Sequence, residues 1–176
     1  MSRRALITLA ALAALQLAAL AVWWGVERAR ARASSAIEDA TPPERAALRI
    51  ASLTVTRGDG ARVDLGALGE PTVVHLWASW CVPCRRELPT FLEWSARAPR
   101  STLAVSLDDD LETARAFAPG ADPGVLARAD GATVRRVLGV SGLPATLLVE
   151  PGGRVTLIAR GARDWADEAF TATWGR

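Results

Sequence analysis

The only two cysteines of the chain stand three residues apart, in Trp80-Cys81-Val82-Pro83-Cys84. The run before them, Thr72-Val73-Val74-His75-Leu76-Trp77-Ala78, is apolar and β-branched, the pattern of a buried strand. The run after them, Arg85-Arg86-Glu87-Leu88, consists of good helix formers. Strand, turn and helix are therefore fixed in that order around the pair, with Cys81 near the helix N-terminus. Unpaired backbone N–H groups and the helix dipole favour negative charge there, and the thiolate is the reactive form of cysteine. An i, i+3 spacing brings both side chains to one helix face, close enough to bridge.

Three other chemistries compete for such a pair. A purely structural disulfide closing four residues would remove little chain entropy, about 2 kcal/mol against about 3 for a fifteen-residue loop. Zinc wants four ligands, and the chain offers two cysteines and one histidine, His75. Copper(I) suits two soft thiolates, but Met1 and His75 are the only other soft or imidazole groups available. Redox chemistry at Cys81 and Cys84 is the reading that motif and context favour, with no metal and no cofactor beyond the disulfide itself.

At 176 residues the chain has room for a short targeting segment and one domain. A core of that size folds without covalent staples, which leaves the cysteines free for chemistry. All 21 basic residues are arginine. Five of them (Arg3, Arg4, Arg28, Arg30, Arg32) fall in the first 32 residues, against Glu27 alone; the remaining 16 face 18 acids. The globular part is thus mildly acidic, and nucleic acid is excluded as a partner for want of a basic patch.

Residues 5–24 carry no charge and are long enough to span one bilayer as a helix, with Trp23 and Trp24 at the interface. A cleaved signal peptide would have a shorter apolar core, although Ala29-Arg30-Ala31 and Ala31-Arg32-Ala33 resemble cleavage sites. The length favours an uncleaved anchor after a cytoplasmic N-terminus (1–4). Arg3 and Arg4 argue for that orientation, while Arg28, Arg30 and Arg32 argue against it. Residues 25–49, rich in Ala, Arg and Ser, read as a tether, and the domain is expected over 50–176.

Within the domain, 53–56 and 61–65 read as a β-hairpin around Arg57-Gly58-Asp59-Gly60. Strands follow at 72–78, 102–107 and 125–128. Helices are expected at 82–97, kinked by Pro89, and at 110–117 and 131–138. A second hairpin turns at Pro151-Gly152-Gly153-Arg154, and a closing helix capped by Asp164 covers 164–174. Strands alternating with helices, then a hairpin, give an α/β sandwich around a mixed sheet.

Three stretches in combination resemble the TlpA/ResA-like thiol-disulfide oxidoreductases of bacterial envelopes, members of the thioredoxin superfamily. They are Trp77-Ala78-Ser79-Trp80-Cys81-Val82-Pro83-Cys84-Arg85-Arg86-Glu87-Leu88-Pro89, Val140-Ser141-Gly142-Leu143-Pro144-Ala145-Thr146, and Pro151-Gly152-Gly153. The resemblance covers residues 50–174. It implies a thioredoxin-like fold: a central mixed sheet flanked by helices, with an N-terminal β-hairpin and a central insertion near 108–128. It also implies that Cys81 attacks and Cys84 resolves, that Pro144 is a cis-proline beside the disulfide, and that Trp80, Leu143 and Pro144 bind substrate. Val82 and Pro83 would tune the couple. His75 stands where thioredoxins carry a buried acid, and it reads equally as a proton carrier or a satisfied core histidine. Asp109 is the positional match for a buried glutamate of some relatives, with at least two of Asp108, Asp109 and Asp110 reading as solvated caps.

The function so implied is membrane-anchored, periplasmic reduction of disulfides in partner proteins by a monomer. Candidate partners are apocytochrome c or copper-site proteins, and a DsbD/CcdA-like membrane donor would regenerate the dithiol. A disulfide-forming oxidant and a tethered copper(I)-binding module are the alternatives.

Overall fold

The computed structural model describes residues 16–26 and 44–175. The chain divides into two compact units, Met1–Asp39 and Ala40–Arg176. In the first, residues 16–26 are helical, with Leu17, Leu20, Val22, Trp23 and Trp24 exposed. Among the described residues no helix is long and apolar enough to cross a membrane. The expected N-terminus (1–4), the first part of the expected anchor (5–15), both candidate cleavage sites and tether residues 27–43 lie outside the described residues.

The second unit is built on β1 (Glu44–Arg49), β2 (Thr54–Arg57), β3 (Arg62–Asp64), β4 (Thr72–Trp77), β5 (Ser101–Ser106), β6 (Leu126–Arg128), β7 (Ala145–Glu150) and β8 (Arg154–Arg160). Its helices are α1 (Val82–Ser95), α2 (Leu111–Phe117), α3 (Gly131–Leu138) and the single turn α4 (Glu168–Thr171). The eight strands form one mixed sheet in the order β1-β8-β7-β4-β5-β6-β2-β3. Strand β4 runs parallel to β5 and antiparallel to β7, and all six of its residues are buried. A strand covered on both faces needs apolar groups at every position, which is why Thr72–Trp77 reads as a continuous hydrophobic run.

Alternate side chains of β4 feed two cores. Val74 and Leu76 join Val105, Leu147, Val134 and Leu138 on the α3 face. Val73 and Trp77 join Cys84, Leu88, Phe91 and Trp94 of α1 on the other. The insertion expected at 108–128 is α2 plus β6. Strand β6 extends the sheet by pairing parallel to β5 and antiparallel to β2, and so joins the leading hairpin to the central strands. At the far hairpin, Gly152 and Gly153 adopt φ of 73° and 78°, the left-handed region that favours glycine. A side chain on Gly153 would also collide with the backbone of Ile50 and Gly66, so this turn docks the leading hairpin onto the sheet.

Two expectations need correction. The tether was expected to run through residue 49, with the domain starting at residue 50. Instead Glu44–Arg49 is a strand, paired antiparallel with β8 across a register shift between Arg45 and Leu48. Nothing in Glu-Arg-Ala-Ala-Leu-Arg favours a strand; the open edge of β8 imposes it. The closing helix expected over 164–174 is one turn, capped by Asp167, whose carboxylate accepts from Ala169 N–H and Phe170 N–H. The Asp164 carboxylate instead accepts from Ala166 N–H in a turn.

Candidate active site

Strand β4 ends at Trp77, and a short loop carries the chain to Cys81, the N-cap of α1, in extended backbone (φ −85°, ψ 103°). Cys81 N–H donates to Ala78 O at 3.1 Å, and Arg85 N–H donates to Cys81 O at 3.1 Å. The Cys84 N–H points at Cys81 Sγ, 3.3 Å away. Pro83, in the first turn, offers no N–H of its own. The sulfur of Cys81 therefore sits at a helix N-terminus with one directed donor, a setting that favours negative charge on it.

The two sulfurs are joined: S–S is 2.07 Å and Cα–Cα 5.2 Å. Cys84 is fully buried, whereas Cys81 keeps a small opening to solvent, 6%. Its sequence neighbours are far more open. Among the described residues of this unit, the exposed large hydrophobic side chains are Trp80 (63%) and Val82 (53%). The Leu143–Pro144 peptide is cis, and Leu143 packs against the core cluster that contains both cysteines.

The loop before Cys81 is held by an acid from the insertion. The Asp108 carboxylate accepts from Ser79 N–H (3.0 Å to Oδ2, 3.2 Å to Oδ1), from Ser79 Oγ–H (2.8 Å) and from Ser106 Oγ–H (2.6 Å). Asp108 is buried and Asp109 is exposed, so the buried acid of this stretch is Asp108, not Asp109 as expected. Asp110 caps α2 by accepting from Thr113 N–H at 2.6 Å. Asp109 and Asp110 are thus solvated, but of the two expected caps only Asp110 caps a helix.

Behind the disulfide lies a buried polar line that the sequence reading caught only in part. His75 projects from β4 and is fully buried, stacked on Phe91 with ring centroids 4.4 Å apart. Its Nδ1 is 2.9 Å from Thr146 Oγ1 of β7. Its Nε2 makes no directed hydrogen bond, and Glu87 Oε1 lies 3.2 Å from it. Glu87 Oε2 accepts from Arg163 N–H at 2.5 Å. Burial pushes His75 down to about 3 and Glu87 up to about 8, the latter against the pull of the Arg163 N–H and guanidinium. Both groups are therefore neutral at pH 7.

Glu87 was read only as a helix former. Its helical phase, i+3 from Cys84 and beside Leu88 on the buried stripe, was the available signal.

No protein-family model matches the chain. It is 32% identical over 101 residues to a thioredoxin of Mycolicibacterium smegmatis, an overlap of 55% of this chain and 89% of that protein. It is 39% identical over 85 residues to a thiol:disulfide interchange protein DsbE homolog of Paracoccus denitrificans, covering 47% of this chain and 46% of that one. A crystal structure of a putative thiol:disulfide interchange protein DsbE from Chlorobium tepidum superposes with a TM-score of 0.59 at 26% identity, covering 73% of this chain and 94% of that chain. A bridged Cys-x-x-Cys at a helix N-terminus, a cis-proline and relatives of this kind converge on one conclusion: the chain belongs to the thioredoxin superfamily and is a thiol-disulfide oxidoreductase of the TlpA/ResA-like kind.

Proposed function

We propose that the protein reduces disulfides in partner proteins of the bacterial envelope, held at the inner membrane by residues 5–24 with its domain in the periplasm. The observation that carries this reading is the asymmetry of the pair. Cys81 Sγ is at the helix start, beside the exposed Trp80 and Val82 and with Cys84 N–H directed at it, while Cys84 is sealed in the core. Cys81 thiolate attacks the partner disulfide, one partner sulfur leaves with the electron pair, and a mixed disulfide forms. Cys84 then attacks Cys81, the partner is released reduced, and the Cys81–Cys84 bridge closes. No cofactor beyond that disulfide takes part.

Exposed Trp80 and the backbone around Leu143 and Pro144 would bind an extended segment of the partner, as an added strand. The family resemblance points to apocytochrome c or copper-site proteins as partners, with a DsbD/CcdA-like membrane protein returning electrons. The direction rests on Val82 and Pro83, which bring no charge and, at Pro83, no N–H to stabilise a thiolate. A reducing couple near thioredoxin's, about −270 mV, follows rather than one near about −120 mV. Equilibration with glutathione buffers tests this: a potential above about −150 mV would make the protein a disulfide-forming oxidant.

A further inference from the structure

The turn that carries Trp80 is held by a residue from the start of the insertion. Cys81 N–H donates to Ala78 O, which closes a turn with Ser79 and Trp80 at its centre. Ala78 is buried and Trp80 is exposed. An exposed side chain takes its direction chiefly from its own backbone, so whatever fixes this turn also aims the indole. Strand β5 supplies the means. Leu107 N–H donates to Trp77 O at 2.9 Å, so the chain still runs beside the end of β4 when it reaches Asp108. The Asp108 carboxylate then takes both donors of Ser79, the N–H and the hydroxyl. Its Oδ2 also accepts from Ser106 Oγ–H, and Ser106 Oγ accepts in turn from Asp108 N–H at 3.0 Å. Asp108 O accepts from Arg128 Nε–H at 3.0 Å. Arg128 belongs to β6, where it pairs with Thr56 of the leading hairpin. Amide, carbonyl and both carboxylate oxygens of Asp108 are all engaged, so the side chain is locked and passes that rigidity to Ser79.

What a disulfide meets here depends on its size. A small disulfide needs only the opening at Cys81 Sγ. A protein segment must also seat against Trp80 and the backbone of Leu143 and Pro144, so it depends on where the turn points. A turn free to move would have to be ordered on binding, and that cost falls on the extended segment alone. We propose that Asp108 is a positioning residue that acts through Ser79 to preset the Trp80 turn for extended protein segments, and so makes the protein select protein disulfides over small ones. Ser106 and Arg128 support Asp108 in that role by holding its carboxylate, amide and carbonyl. The inference rests on the roles proposed above for Cys81 as the attacking sulfur and for Trp80, Leu143 and Pro144 as the receiving surface.

Two matched disulfides test it, each mixed with reduced full-length protein in a stopped-flow instrument. One is cysteine joined to thionitrobenzoate. The other is a peptide of about eight residues, rich in Val and Thr so that it extends, whose central cysteine carries the same group. In both, Cys81 thiolate attacks the cysteine sulfur, the Cys81–cysteine bond forms, and thionitrobenzoate leaves with the electron pair and is read by its absorbance. Wild type should react at least about tenfold faster with the peptide. Asp108→Ala should lose at least about tenfold on the peptide and stay within about twofold on the cysteine compound. Trp80→Ala should lose the same preference, and adding Asp108→Ala to it should cost no more than about twofold further, because both act through one turn. Asp108→Asn, whose amide oxygen still accepts from Ser79, should keep the preference within about threefold. Ser79→Ala removes one donor and leaves the acid in place; it should lose at least about threefold, and it carries the test should Asp108→Ala fail to fold. The inference is overturned by a wild type without the preference, by Asp108→Ala or Ser79→Ala keeping it, by equal losses on both compounds, by Asp108→Asn losing as much as Asp108→Ala, or by losses that multiply with Trp80→Ala. Each of those results leaves Cys81 in its role. No release from the cysteine compound by reduced wild type overturns that role itself.

Discussion

Asp108→Ala offers the most direct test of how the fold presents Cys81. The wild-type carboxylate is buried and takes three donors: the Ser79 N–H, the Ser79 hydroxyl and the Ser106 hydroxyl. Hydrogen bonds to a charged group contribute about 1.5–3 kcal/mol each. Truncation also lifts the cost of burying the carboxylate, and both hydroxyls can rotate toward other acceptors. The Ser79 N–H cannot. A loss near 3 kcal/mol is therefore expected. Asp108→Asn keeps an oxygen at the Ser79 end and turns an amide toward Ser106 Oγ, which can accept; about 1 kcal/mol is expected there. Asp109→Ala, at an exposed position, should stay within about 0.5 kcal/mol of wild type. Urea unfolding followed by tryptophan fluorescence measures all three, with m-values compared to show that the native state is unchanged. An Asp108→Ala protein within about 0.5 kcal/mol of wild type would refute the argument, because the loop before Cys81 would then be held by something else.

Two further outcomes follow from the same geometry. Cys84→Ser should accumulate mixed disulfides with envelope proteins on non-reducing gels while Cys81→Ser accumulates almost none, and equal trapping by both would contradict the assigned roles. Stability should also depend on pH in a particular window. Glu87 binds more protons folded than unfolded between its ordinary value of 4.5 and about 8, so its contribution is lost as pH rises through that range. His75 binds fewer protons folded than unfolded between about 3 and its ordinary 6.5, so its contribution grows as pH rises. The two oppose each other from 4.5 to 6.5, leaving a net decline from 6.5 to 8 of up to about 1.4 kcal/mol per pH unit, which Glu87→Gln should abolish. Urea midpoints that stay flat in wild type from pH 6.5 to 8 would show that Glu87 does not titrate there.

The central strands and helices were legible because local pattern and tertiary role agree in them. Thr72–Trp77 is apolar throughout since both its faces are covered, and α3 ends where Gly139 adopts φ of 63°. The elements that were misread are those decided by partners distant in sequence. Strand β1 exists because β8 offers an edge. The last helix is short because Trp165 must lie among Phe91, Trp94 and Phe170, with ring centroids 4.9, 4.8 and 5.2 Å away. A helix begun at Asp164 would carry Trp165 in its first turn; instead the chain turns at Asp164, seats the indole, and starts the helix one cap later, at Asp167.

The site divides in the same way. Cys81 and Cys84 declare themselves by spacing, and the Gly-Leu-Pro-Ala-Thr context marks Pro144. Three consecutive aspartates carry no such mark, and the phase of β5 does not distinguish them, because both faces of the strand are covered and residues 102–108 are all buried. What sets Asp108 apart is contact with residues of the fold: its carboxylate accepts from Ser106 Oγ–H and from Ser79, ahead of Cys81. Counting on α1 does find Glu87: Cys84, Leu88 and Phe91 at i, i+4 and i+7 define the buried stripe, and Glu87 at i+3 lies inside it. Only the register of β4 against β7, which pairs His75 with Thr146, then shows what an acid in that stripe can bond to. Helical periodicity can thus find Glu87 but strand periodicity cannot find Asp108, whose place is set by Ser79 and Ser106, and sheet register is needed to show what stands beside each acid.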